Sequence, residues 1–136
     1  MRHRGWLVKT DPRRFAFDDL RRSARTVWDG TRHPLALRHL RAMRRGDAVL
    51  VYHSGTQRAV VGVARVVRGA YRDRTGDWVV DLAARHGLGR PVRRVELAAL
   101  PALATWELVR IPRLTILPVP GEAWRAVLQL AGRAPP

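Results

Sequence analysis

The stretch from Ala48 to Val67 does most to limit the architecture open to this chain. Ala48 to His53 and Ala59 to Val67 are β-branched apolar runs, and Ser54-Gly55-Thr56-Gln57 between them has turn chemistry, so the spacing predicts a hairpin. Everything around that hairpin is short. Trp6 to Thr10 reads as a buried strand stopped at Asp11-Pro12, because Pro12 disfavours helix before it and cannot extend a central ladder. Asp18 to Arg22 suggests a brief helix with its acids in the first turn, where the helix dipole favours them. Thr26-Val27-Trp28 is a short strand ending at the turn pair Asp29-Gly30. Pro34 opens a second helix reaching Met43, with Leu37 and Leu40 as its expected buried stripe.

Beyond the hairpin, Trp78 to Ala84 is a further strand after the polar loop from Arg72 to Asp77. Val95 to Leu100 and Trp106 to Arg110 read as helical pieces, and Thr115 to Leu117 as a last strand between prolines. Glu122 to Leu130 is an amphipathic helix with Trp124, Val127 and Leu128 expected inward. Trp6 and Trp106 read as packing residues. Short strands interleaved with short helices predict an α+β fold, a small mixed β-barrel of about five to six strands flanked by short helices. A doubly wound sheet would need longer helices in regular alternation. Residues 1–136 are expected to form one domain, with 133–136 a frayed end.

Charge is the strongest bulk signal. Against 26 basic residues stand only 11 acidic ones, a net +15 that favours a polyanionic partner. Replacement of lysine by arginine cannot produce that imbalance, since it leaves the charge unchanged. Lys9 is the only lysine, a compact ammonium among planar guanidinium forks. With no cysteine, disulfides, thiolate metal sites and thiol nucleophiles are excluded. No apolar run approaches the ~20 residues of a membrane span, and no signal-like segment opens the sequence. The expectation is a cytoplasmic monomer with no membrane association.

Three segments set aromatic rings beside hydrogen-bonding groups at strand ends: Lys9-Thr10-Asp11, Trp28-Asp29-Gly30 with Arg32-His33, and Tyr52-His53-Ser54. A planar base held in a pocket needs a π-face, polar groups for its edge and a cation near its phosphate. These segments contain each part. Trp28 is the candidate stacking platform, with Gly30 allowing close backbone approach; a core tryptophan is the competing reading. His53 and Ser54 are expected to project over a barrel mouth, and Asp81, inside an apolar strand, to pair with an arginine. The histidines lack metal-ligand spacing, so no metal or cofactor is expected. Adjacent Ser54 and His53 on a strand face opposite ways and cannot act together as nucleophile and base, so a non-catalytic binding role is favoured. An enzyme acting on nucleic acid through His53 or Asp81, and a general RNA-binding module for transfer or ribosomal RNA, are the alternatives.

Trp6-Leu7-Val8-Lys9-Thr10-Asp11-Pro12, Trp28-Asp29-Gly30, Tyr52-His53-Ser54 and Val60-Val61-Gly62-Val63-Ala64 together resemble the EVE domain, a PUA-like module. The likeness runs on in order through Leu108-Val109-Arg110, Arg113-Leu114-Thr115 and Glu122 with Trp124. It implies a PUA-like barrel with a pocket for a modified base, 5-methylcytosine or 5-hydroxymethylcytosine in DNA, and a kinship with the YTH readers of RNA. Carried over, it implies Lys9, Thr10, Trp28 and Asp29 on one side of that pocket and His53 and Ser54 opposite. The implied partners are DNA or RNA carrying a modified base, and a separate effector protein. The chain departs from the family after Gly30, where it reads Thr31-Arg32-His33-Pro34-Leu35-Ala36-Leu37-Arg38.

Overall fold

A computed structural model describes residues 5–29 and 31–132. Gly30 and the end 133–136 expected to fray lie outside the described residues.

One mixed sheet organises the chain. Its strands are β1 (Gly5–Thr10), β2 (Thr26–Trp28), β3 (Ala48–His53), β4 (Ala59–Arg72), β5 (Trp78–Arg93) and β6 (Ile116–Pro118). They lie in the order β2-β5-β4-β3-β1-β6, curled into a half-barrel of the expected PUA-like type. β1 and β3 are parallel, which demands a long crossover. That crossover holds α1 (Phe17–Arg22), β2 and α2 (Pro34–Ala42). The register Thr10↔His53 ends β1 and β3 together, and Ser54 N–H donates to Thr10 O at 2.9 Å just beyond. The antiparallel β3–β4 hairpin is the one the sequence predicts.

β4 and β5 run much further than their apolar patterns, bent by register shifts along the pair. The bending curls β5 so that β2, paired with it at Trp28↔Val80, faces the end of β1 and β3. At Gly62 the α1 residue Phe17 lies flat on the strand; a Cβ there would stand 2.4 Å from its ring. α3 (Arg94–Ala98), a 3₁₀ turn (Pro101–Leu103) and α4 (Glu107–Arg110) then return the chain to β6. α5 (Gly121–Ala131) closes over the sheet.

Two expected stripes are corrected. α2 buries Ala36 and Leu40, four residues apart, and its C-cap Met43 is buried three residues further on, while Leu37 is only half-buried. α5 buries Ala123, Val127, Leu130 and Ala131, which rotates Leu128 out to 42 % exposure. Trp6 and Trp106 pack in the core as expected, and their indole N–H groups reach Asp47 at 2.9 Å and Pro118 O at 2.8 Å. Trp124 is half-buried.

Candidate functional site

A cavity of about 1060 Å³ opens where β1 and β3 end, at the upper limit of ordinary ligand pockets. Among the parts of the chain that meet there, β1 brings Lys9 and Thr10, β2 and the residue after it bring Trp28 and Asp29, the end of β3 and its turn bring Tyr52 and Ser54, and the α4–β6 loop brings Pro112 and Arg113. Of the sequence-predicted residues, those first six line it. Trp28 lines it while only 9 % exposed, so its indole is part of the wall and also part of the core. Phe15 meets that indole edge-on, ring centroids 6.0 Å apart at 76°.

Three expected positions move. His53 does not line the cavity: consecutive strand residues alternate faces, so with Tyr52 on the wall the imidazole turns inward. There Nε2 accepts from Phe17 N–H at 3.0 Å, which places the ring proton on Nδ1, 2.8 Å from Gln57 Oε1. His33 is the N-cap of α2, its Nδ1 facing Leu35 N–H at 3.2 Å, and it lies off the cavity with Arg32. Asp81 is buried and paired as expected, accepting from Arg25 Nη2 at 2.8 Å and Tyr71 Oη at 2.6 Å. The two groups an enzyme would need are thus committed to the fold.

The walls are cationic. Lys9, Arg14, Arg58, Arg94 and Arg113 line the cavity against only Asp11 and Asp29. Asp11 is already held by Arg13 at 2.9 Å, which pulls its carboxyl down to about 2. Asp29 is exposed, and its side chain has no hydrogen-bond or ion-pair partner among the described residues. Burial, reinforced by the charge of Arg94, lowers the Lys9 ammonium to about 8. Its Nζ donates to Pro112 O at 2.7 Å and lies 5.2 Å from the Tyr52 ring centroid, leaving N–H donors for a ligand. Arg94 is anchored through Nε and Nη2 to Leu108 O and Val109 O, and Arg58 through Nε to Gly55 O. Both keep N–H groups uncommitted. Thr10 Oγ1 donates to Phe15 O at 2.7 Å, so toward a ligand it acts as an acceptor.

Sequence reasoning missed Phe15, Arg14, Arg58, Arg94, Pro112 and Arg113. Only the last two had a local cue, the Pro-Arg step before β6; the fold alone assembles the others.

A sequence profile of the EVE domain matches residues 4–130. Thymocyte nuclear protein 1 from Rattus norvegicus is 35% identical over 82 residues, 52% of this chain and 36% of that protein, so the match spans about a third of the curated relative. A Rhodopseudomonas palustris protein solved by NMR superposes with a TM-score of 0.89 at 35% identity, covering 95% of this chain and 93% of the other. The human thymocyte nuclear protein 1, crystallised with 5-methylcytosine containing DNA, gives a TM-score of 0.89 at 25% identity over 97% of this chain and 99% of its own.

Proposed function

The chain belongs to the EVE domain family, and on that footing we propose that it binds DNA by holding a flipped, 5-modified cytosine in the cavity beside Trp28. The observation that carries this reading is Trp28 itself, which lines a cationic cavity in a fold whose human relative was crystallised on 5-methylcytosine containing DNA. The base stacks against the indole that Phe15 braces, with Tyr52 on the opposite wall. Asp29 accepts from the cytosine amino group, the partner a carboxylate suits best. Thr10 and Ser54 serve the remaining edge. Lys9, Arg58, Arg94 and Arg113 take the phosphates on either side, which the size of the cavity accommodates.

Magnitudes limit the selectivity. Extruding a base costs a few kcal/mol, and stacking on an aromatic ring offsets about 1–3 of them. One buried methyl adds only about 0.8 kcal/mol, roughly a fourfold preference. Stronger discrimination requires a hydrogen bond to a hydroxyl on the 5-substituent.

The test is a binding series with plain, 5-methyl- and 5-hydroxymethylcytosine oligonucleotides, as DNA and as RNA, at two salt concentrations. A preference for modified DNA that persists at the higher salt supports the reading. Equal affinity for plain and modified cytosine removes it, and a preference for RNA whatever its modification favours the general RNA-binding alternative.

A further inference from the structure

One run of sequence begins two residues beyond the cavity-lining Asp29 and leads away from it. From Thr31 to Gly46 the chain carries no acid and holds Arg32, Arg38, Arg41, Arg44 and Arg45. All five arginines are exposed, and among the described residues none forms an ion pair. Arg38 and Arg41 lie on one face of α2, opposite the buried Ala36 and Leu40. The run starts beside Asp29 and ends against the β4–β5 hairpin, where Gly69 faces Met43 O and the backbone of Arg44 and Arg45.

At that end the Arg41 guanidinium lies 4.5 Å from the Trp78 ring centroid and Arg72 lies 4.9 Å from the same centroid. Stacking fixes each guanidinium plane and leaves its N–H edge available to a phosphate fork. Among the described residues the Arg41 guanidinium makes no hydrogen bond, and that of Arg72 makes one, to Gly76 O at 3.3 Å. Neighbouring carboxylates are engaged elsewhere. Asp47 accepts from Trp6 Nε1 and Arg44 N–H, and Asp73 from Thr75 and the Asp77 N–H. Besides Asp29, two acids near the run have side chains with no hydrogen bond or ion pair among the described residues: Asp77 at the hairpin tip, and Glu107, whose charge acts on His39 of α2.

We infer that α2 and the Trp78 platform form a track for the nucleic-acid backbone, leading the strand away from the base at Trp28. This rests on reading the cavity as the base site. A nine-residue helix is about 14 Å long, the rise of roughly four base pairs at 3.4 Å each. The track therefore adds sequence-independent contacts, and through them length and salt dependence.

The experiment uses the full chain, the double variant R38Q/R41Q and a charge-matched control, R85Q/R125Q, whose arginines are exposed outside the run. Probes are short and long duplexes, about 6 and about 16 base pairs, plain and with 5-methylcytosine, titrated across a salt series. R38Q/R41Q is expected to weaken binding of the long duplex, plain and modified alike, with a log–log salt slope shallower by about 1.8 and an unchanged preference ratio. The control moves the slope by less than half as much. Should R41Q lower stability by freeing Trp78, R38Q/R44Q carries the same expectation without touching a stacked ring. Equal losses in track and control variants overturn the track, as does a loss confined to modified DNA. If the unmutated protein shows no preference for modified DNA yet keeps the length-dependent slope, the base site fails and the track stands.

Discussion

Phe15 stands edge-on to Trp28 at 6.0 Å between ring centroids, and it holds the indole at the cavity wall. The contact joins the loop after β1 to β2, on either side of α1. An edge-to-face pair of this kind contributes about 0.5–1.5 kcal/mol beyond the area it buries. Phe15→Ala is expected to lower stability by at least that amount and to reduce the preference for modified cytosine several-fold, because the indole gains freedom. Thermal melts and competition binding with plain DNA check the two effects together.

Lys9 sets a pH dependence of opposite sign for binding and for folding. A phosphate is held by the protonated ammonium, so DNA affinity is greatest below about 8 and declines as pH rises through it. In the free protein the folded-state value lies below the ordinary 10.5, so between about 8 and 10.5 the unfolded chain binds more protons. Stability of the free protein therefore rises with pH over that window. Lys9→Arg, always charged, is expected to flatten the affinity profile between pH 7 and pH 9, as read by titrations in matched ionic strength.

His53 is expected to matter for folding and not for recognition. Its Nε2 accepts from the buried Phe17 N–H. His53→Ala leaves that donor unpaired, at a cost of about 1–3 kcal/mol. Urea denaturation reads the loss, while the ratio of affinities for modified and plain DNA stays as it was. A changed ratio with unchanged stability would return His53 to the cavity wall.

Gly62 tests how α1 is seated. A Cβ there meets the Phe17 ring at 2.4 Å, and the ring has the strand backbone beneath it. Gly62→Ala is expected to cost about 1–3 kcal/mol through overpacking. Because Phe17 is displaced, its N–H bond to His53 weakens as well. Combining Gly62→Ala with His53→Ala should therefore cost less than the sum of the two, a double-mutant cycle measured by denaturation.

The elements that were legible in the sequence are those whose signals are local. Trp6 to Thr10, Thr26 to Trp28 and the β3–β4 turn carry their own apolar runs and breakers, and each forms where the pattern predicts. The second half of β5 was not legible. Arg85-His86-Gly87-Leu88-Gly89-Arg90-Pro91 shows neither alternation nor β-branching, and it becomes strand by pairing with Ala59 to Val63 of β4. At the site, Lys9, Thr10, Trp28, Asp29, Tyr52 and Ser54 could be named because aromatic and polar residues sit together at strand ends. His53 was misplaced against the alternation that already separates it from Ser54. Arg94 and Arg113 reach the cavity from helices and loops tens of residues away, and no spacing along the chain encodes that meeting.

The most direct test of the whole account is the ratio of affinities for 5-methylcytosine and plain DNA in Trp28→Ala, with Trp28→Phe as the variant that keeps a smaller ring. Trp28→Ala is expected to lose about 1–3 kcal/mol on modified DNA and to bring the ratio to about one, while binding to plain DNA keeps its salt slope. Trp28→Phe recovers part of the preference. A folded Trp28→Ala protein that still prefers modified DNA as strongly as the unmutated chain contradicts the account.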